Sequence, residues 1–132
     1  MRVMLDTDTC IFARKRPDGF KPRLPLHECS ISIIVLGELE WGVAQSRRVE
    51  ENRAALRALL GAVKVVDVDT EVARQYGQLR AYLRSIGRPI GPNDLWIAAH
   101  ALALDVPLVT HNLSEFRRVP GLTAETWLTG AA

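Results

Sequence analysis

Residues 90–122, IGPNDLWIAAHALALDVPLVTHNLSEFRRVPGL, decide the fold of this 132-residue chain. A linker rich in turn residues leads to Asp94, and the following segment, 95–104, is apolar almost all round, which is typical of a buried helix. Segment 107–110 then predicts a short strand, and Asn112 lies just beyond its end. A buried helix that leads directly into an apolar strand indicates an α/β protein.

The rest of the chain repeats this alternation of strands and helices. Apolar or β-branched runs predict strands, and segments with apolar residues at helical spacing predict helices. Besides the strand at 107–110, strands are predicted at 3–5, 29–35, 64–68 and 124–128. Helices are predicted from residue 7, over 36–43, over 48–60 and over 70–86. This order predicts a central parallel sheet flanked by helices, an α/β/α arrangement.

The composition is that of an ordinary globular protein and by itself excludes few classes of function. The hydrophobic share is 48%, the charged share is 24%, and the net charge of +2 is too small to indicate nucleic-acid binding by itself. The amino terminus lacks the layout of a signal peptide, and no apolar stretch approaches the roughly 20 residues of a membrane span. Cys10 and Cys29 form no metal-binding spacing and are expected to be reduced thiols. These features predict one cytoplasmic domain over 1–132 that does not enter a membrane.

Four acidic or amide side chains stand at the ends of apolar segments. Asp6 follows the first strand, Glu38 is expected in the first turn of the helix after 29–35, Asp94 opens the buried helix, and Asn112 follows the late strand. Sites in open parallel sheets lie beyond the carboxyl ends of the strands. The four side chains are therefore expected to meet in one crevice.

The chemistry of these groups favours a hard metal ion. Mg²⁺ and Mn²⁺ prefer oxygen ligands, and a cluster of carboxylates is costly unless a cation compensates its charge. Such a cation polarises a phosphoryl oxygen and lowers the pKa of a bound water, which suits hydrolysis of a phosphodiester. Neither a phosphate-binding loop nor a serine nucleophile motif is present. The pattern predicts a metal-dependent nuclease.

Three segments resemble the PIN-domain family, in particular VapC-like toxins of bacterial toxin–antitoxin pairs. They are LDTDTCIF at 5–12, SISIIVLGELEWGV at 30–43 and, most specifically, 90–122. The resemblance covers nearly the whole chain and implies a single PIN-like domain with Mg²⁺-dependent endoribonuclease activity, Mn²⁺ being an alternative ion. It also implies an RNA substrate, a homodimer, inhibition by a VapB-type antitoxin, and contact with DNA only through that antitoxin.

The resemblance assigns roles residue by residue. The acids of the family fall on Asp6, Glu38 and Asp94, which would be catalytic and would hold the metal. The fourth catalytic position falls on Asn112, where many relatives carry aspartate, so this site has one negative charge less. The supporting polar residues fall on Thr7, Ser32 and Thr110, and Asp8 is expected either to cap the first helix or to assist through a water.

Each assignment has a structural alternative. Asp6 and Asp94 can simply cap the helices that they precede or open, and Asn112 can be a turn amide. Glu40 is a rival of Glu38, but two positions apart on a helix they cannot face the same crevice. His100 is expected in the core, His111 is a weak candidate for a substrate contact, and the basic loop 14–26 is either solvated or in contact with phosphate.

Two other functions stay open from the sequence. In the first, the fold is a catalytically weak binding module, because of Asn112, that acts in a DNA-bound repressor complex through an antitoxin. In the second, the chain is a nuclease for flapped or structured DNA, although its small size speaks against this. Metal-dependent cleavage by the purified protein would separate the enzyme from the binding module.

Overall fold

A computed structural model describes residues 2–129 of the chain. The strands are β1 Val3–Leu5, β2 Cys29–Ser32, β3 Lys64–Val66, β4 Leu108–Val109 and β5 Ala124–Glu125. The helices are α1 Thr7–Lys15, α2 Ile33–Ala44, α3 Val49–Leu60, α4 Thr70–Ser85, α5 Pro92–Leu104 and α6 Leu113–Phe116, and Leu26–Glu28 forms one 3-10 turn. The predicted alternation of strands and helices is confirmed.

The five strands form one parallel sheet in the order β3-β2-β1-β4-β5. From β1, the chain first builds the sheet in one direction through β2 and β3 and then returns to add β4 on the other side of β1. The order of strands therefore reverses between β1 and β4. In open α/β sheets, ligands bind beyond the carboxyl ends of the strands at such a reversal.

The core lies around β1, β2, β4 and helix α5. The three residues of β1 are at most 4% exposed, and Leu108 and Val109 of β4 are fully buried. Along α5, the residues from Ile97 to Ala101 are completely buried, which confirms the helix predicted from its apolar surface. None of the helices within residues 2–129 has the length and hydropathy needed to cross a membrane.

The predicted strand 29–35 was too long. Strand β2 ends at Ser32, because the Ser32 hydroxyl accepts a hydrogen bond of 3.1 Å from the Ile34 N–H and so caps helix α2. The apolar residues 33–35 are thus helical, although their β-branched side chains favour a strand. Glu38 consequently lies in the second turn of α2 rather than in the first. The strands predicted at 64–68 and 124–128 are also shorter, ending at Val66 and Glu125.

The outer side of α2 is open. Gly37 and Gly42 weaken the helix predicted over 36–43, and such glycines in a helical pattern suggest close packing. A Cβ atom added to either glycine would nevertheless have no neighbour within 4 Å in the described part of the chain. Between them, Trp41 is 67% exposed. The expectation of close packing was therefore wrong within the protomer, and α2 presents an accessible surface.

Candidate active site

Asp6 lies at the reversal of strand order, between β1 and α1. Its backbone N–H donates to the Val109 carbonyl at 3.1 Å, and its carboxylate accepts from the Thr9 N–H at 2.9 Å. Asp6 is therefore the N-cap of α1, whereas Asp8, the residue expected to cap this helix, is exposed in the first turn. Burial raises the pKa of Asp6, while a hydrogen bond with the Thr110 side chain opposes the rise.

Asn112 and Thr110 continue the site on the neighbouring strand. The Thr110 hydroxyl accepts a hydrogen bond of 3.0 Å from the Asn112 N–H and also forms a hydrogen bond with the Asp6 side chain. The amide nitrogen of Asn112 donates to Glu115 at 2.7 Å, and the Ser114 hydroxyl lies 3.4 Å from its Oδ1 atom. The Asn112 side chain is thus bonded within its own turn and orients a carboxylate.

Glu38 reaches the same region from α2. The Thr7 hydroxyl donates to its carboxylate at 2.6 Å, which joins the second turn of α2 to the first residue of α1. Glu40 forms a salt bridge of 3.0 Å with Arg53 and leaves about half of its side chain exposed. Of the two candidate glutamates, the structure places only Glu38 beside Thr7.

Asp94 stands in the first turn of α5 and is the most perturbed carboxylate of the group. The pKa of Asp94 is raised to about 7, mainly by burial. The charge of Glu115 and a hydrogen bond with it contribute next, followed by the charges of Glu38 and Asp6. Asp94 is therefore close enough to the other three acids for their charges to act on it. Helix α5 begins without a side-chain cap, so capping does not account for Asp94.

Glu115 is a site residue that the sequence analysis missed. It lies on the short helix α6, accepts hydrogen bonds from Asn112 and from the Gly91 N–H at 3.1 Å, and faces Asp94. Its spacing of three residues from Asn112, which puts both on one face of a helical turn, was the available signal. That spacing alone did not distinguish Glu115 from a solvated glutamate.

The predicted supporting residues differ in what they contact. Thr7 and Thr110 touch Glu38 and Asp6 directly, and the charge of Asp8 contributes to the raised pKa of Asp6. The Ser32 hydroxyl caps α2 and lies 2.8 Å from Nδ1 of His100, so it acts on the site only by holding α2. His100 is fully buried in the core, as expected, although its Nε2 atom has no partner in the described chain.

The four carboxylates carry a charge that the protein itself does not compensate. In the part of the chain that the structure describes, none of Asp6, Glu38, Asp94 and Glu115 forms a salt bridge with a basic side chain. No three His, Cys, Asp or Glu side chains among residues 2–129 form a ready-made metal cluster. The donor set nevertheless fits a hard divalent cation, because oxygen ligands and uncompensated negative charge are what such an ion requires.

The raised pKa of Asp94 predicts how stability depends on pH. An unfolded aspartate has a pKa of about 3.9, so the folded state binds this proton more tightly. Without metal, Asp94 should therefore reduce stability progressively as the pH rises from about 4 to about 7, and the loss should then level off.

The measurement is the free energy of urea unfolding in the presence of a chelator, for the wild type and Asp94→Asn, across this pH range. His100 acts in the opposite direction, because burial lowers its pKa, so only the difference between the two proteins isolates Asp94. As the pH rises from about 4 to about 7, the free energy of unfolding of Asp94→Asn should increase relative to that of the wild type. We expect this change to be about 1–2 kcal/mol, after allowance for partial solvent exposure. Parallel pH profiles would contradict the prediction.

A groove of about 510 Å³ leads away from the carboxylates between α1, α2 and α3. The walls are mainly apolar, and Thr7, Glu38, Arg14 and Lys15 also contribute to the lining. Arg14 is held there by a hydrogen bond of 2.6 Å to Asn52 on α3. The groove therefore adjoins the acidic site at Thr7 and Glu38.

Known proteins resemble this chain over nearly its full length. The PIN domain family model matches residues 3–122. Ribonuclease VapC2 of Rickettsia felis is 41% identical over 132 residues, which cover 96% of this chain and 98% of that protein. The tRNA(fMet)-specific endonuclease VapC of Salmonella typhimurium is also 41% identical, over 130 residues, with 96% and 98% coverage.

Solved structures show the same fold. VapBC2 of Rickettsia felis bound to a DNA fragment from its promoter contains a chain with a TM-score of 0.85 and 38% identity, covering 96% of this chain and 99% of that one. DNA-bound VapBC of Salmonella typhimurium gives a TM-score of 0.85 at 37% identity, with coverage of 96% and 98%. The parallel sheet flanked by helices is therefore the PIN-domain arrangement.

Proposed function

The chain belongs to the PIN-domain family, among the VapC ribonucleases of toxin–antitoxin pairs, and we propose that Asp6, Glu38, Asp94 and Glu115 form its RNA-cleaving site. The observation that carries this proposal is that Glu115, Glu38 and Asp6 all lie close enough to Asp94 for their charges to act on it, near the reversal of strand order and with no basic partner within residues 2–129. Each comes from a different region of the sequence, so folding alone gathers them. A single PIN-like domain over 1–132 suffices to supply them all.

Asp6, Glu38 and Asp94 would hold a divalent cation, Mg²⁺ or Mn²⁺, with Glu115 beside them. When bound, such an ion polarises a phosphoryl oxygen and lowers the pKa of a water that attacks the RNA phosphodiester. The chain's own contribution is orientation. Thr7 fixes the Glu38 carboxylate, Thr9 and Thr110 fix that of Asp6, and Asn112 fixes that of Glu115.

The contacts of Asn112 favour an active enzyme over the catalytically weak binding module. The module was considered because Asn112 lacks the charge of an aspartate. Glu115 replaces that charge at the site, and the Asn112 amide donates to it at 2.7 Å. An aspartate at position 112 would lose this donor and repel Glu115. The acidic character of the site is thus retained, and the RNA-hydrolysing activity of the VapC family follows.

The partner is a VapB-type antitoxin, and DNA is reached through it. The solved relatives from Rickettsia felis and Salmonella typhimurium are VapBC complexes bound to DNA. This chain is only mildly basic, with a net charge of +2, which agrees with DNA contact made by the partner. We place the pair in the cytoplasm, where an RNA substrate is available.

The homodimer remains a prediction, and its basis changes. The sequence bases it on Trp41 and Val43 and on the apolar helix at 95–104; of these, Val43 and residues 97–101 of α5 are buried, whereas Trp41 is 67% exposed. Among residues 2–129, the exposed large apolar side chains are Ile33 and Trp41 on α2 and Tyr82 and Ile86 near the end of α4. A dimer would therefore use one of these two surfaces, and light scattering at micromolar concentration measures its mass.

The two neighbouring glutamates of α2 provide a matched test of the proposed function. We expect Glu38→Gln to lower metal-dependent RNA cleavage by about tenfold to hundredfold, because it removes the charge beside Thr7. Glu40→Gln removes the same charge two positions away and should leave the rate unchanged, since Glu40 pairs with Arg53 at the surface.

The measurement is cleavage of total RNA by the purified proteins, with Mg²⁺, with Mn²⁺ and with chelator. Thermal unfolding of both variants checks that the fold is intact. Wild-type protein that cleaves equally with chelator would contradict the metal requirement. Equal rates for the two variants would remove Glu38 from the site.

A further inference from the structure

An aromatic group that does not line the groove borders the acidic site. His111 lies between Thr110 and Asn112, and its ring meets the ring of Phe12 edge-on, with centroids 6.0 Å apart and planes at 82°. Phe12 in turn contacts Phe20 at 6.3 Å. Neither the carboxylate arrangement nor the groove along α1, α2 and α3 uses these rings.

Two properties make His111 available to a ligand. The residue is exposed, and no hydrogen bond from the described part of the chain engages its ring nitrogens. Contact with Phe12 nevertheless restricts the orientation of the ring, so less rotational freedom would be lost on binding. An exposed but oriented ring is suited to stacking.

The position of His111 identifies the chemistry of the ligand. Both of its neighbours in sequence belong to the acidic site, since Thr110 bonds Asp6 and Asn112 bonds Glu115. RNA that presents a phosphate to this site must place an adjoining base nearby. Proteins that recognise unpaired RNA stack its bases on aromatic and histidine rings.

We propose that His111, oriented by Phe12, is a stacking surface for an unpaired RNA base next to the phosphate that is cleaved. The proposal rests on the ribonuclease function above and adds a substrate-positioning residue to it. Arg16 extends the surface, because its guanidinium lies 5.9 Å from the centroid of the Phe20 ring and is free of carboxylate partners within residues 2–129. A basic group at this distance suits the next phosphate along the strand.

A role of His111 in proton transfer is less compatible with its surroundings. A histidine that acts as a general base is normally oriented by a hydrogen bond to a carboxylate or carbonyl group. His111 is oriented instead by an apolar ring. The two roles are separable by experiment, because phenylalanine can stack on a base but cannot accept a proton.

The test is RNA binding by the purified protein in the presence of a chelator, so that cleavage does not intervene. The probes are short fluorescent homopolymers of adenylate, cytidylate and uridylate, and the Kd is read from anisotropy. We expect His111→Ala to weaken binding by about fivefold or more, and His111→Phe to restore most of it. His27→Ala is the matched control, since His27 is also exposed but precedes β2 at the opposite edge of the sheet.

The outcomes separate this proposal from the proposed function. If His111→Ala binds RNA like the wild type, or if the wild type binds none of the three probes, stacking is overturned. If His111→Phe binds as weakly as His111→Ala, the ring nitrogens matter and stacking is again overturned. Failure of the cleavage function would appear separately, as active Glu38→Gln protein or as cleavage that is indifferent to metal.

Discussion

Replacing Asp94 with asparagine should abolish RNA cleavage, with a loss of about a hundredfold or more, and leave the metal-free protein at least as stable as the wild type. The first effect follows from the loss of a carboxylate that would hold the cation. The second follows from the electrostatics of the site, where burial and the charges of Glu115, Glu38 and Asp6 raise the pKa of Asp94 to about 7. Removing that charge relieves repulsion.

The two effects require two measurements on the same protein preparations. Cleavage rates with saturating Mg²⁺ report the first, and thermal unfolding with chelator reports the second. Asp105→Asn serves as a control, because Asp105 lies at the other end of α5 and is exposed. An Asp94→Asn protein that cleaves RNA, or that melts well below the wild type, would contradict the role proposed for Asp94.

Glu115→Ala should lower cleavage by about tenfold to hundredfold, an effect that the sequence analysis did not anticipate. Glu115 accepts hydrogen bonds from Asn112 and from the Gly91 N–H, and it acts on the pKa of Asp94. Its loss therefore removes one charge of the site and frees both Asn112 and the loop before α5. The metal concentration that gives half-maximal cleavage should rise as well.

Glu28→Ala is the matched control for this substitution. Glu28 pairs with Arg2 at 3.3 Å, next to the start of β2 and thus at the opposite edge of the sheet. Its removal should change neither the cleavage rate nor the metal dependence. If Glu115→Ala is as active as Glu28→Ala, then Glu115 only stabilises the loop at Gly91 by a hydrogen bond, and the site consists of three acids.

The sequence predicted the order of the elements well because the strongest signals belong to buried segments. Residues 97–101 of α5 and the strands β1 and β4 are buried in the core, so an apolar character is required throughout these stretches. The end of β2 was missed for a local reason. The β-branched residues 33–35 favour a strand, yet the Ser32 cap begins a helix there, and a single hydrogen bond of this kind outweighs a weak propensity.

Part of the candidate site could be selected from the sequence. The sequence singles out four residues at the ends of apolar segments: Asp6, Glu38, Asp94 and Asn112. In the structure, contacts or charge effects link all four, through Thr7, Thr110 and Glu115. Glu115 was missed because it lies on the four-residue helix α6, which leaves no periodic signal. Which of two neighbouring acids faces a site depends on tertiary contacts.

The position of β4 beside β1 has a consequence for synthesis of the protein. Asp6 is translated long before its backbone partner Val109 and the Asn112–Glu115 turn. A growing chain that lacks β4 therefore has Asp6 without its neighbours and holds no complete acidic site. Because the reversal of strand order brings two distant segments of the chain together, the acidic site of this ribonuclease cannot form until both segments have been translated.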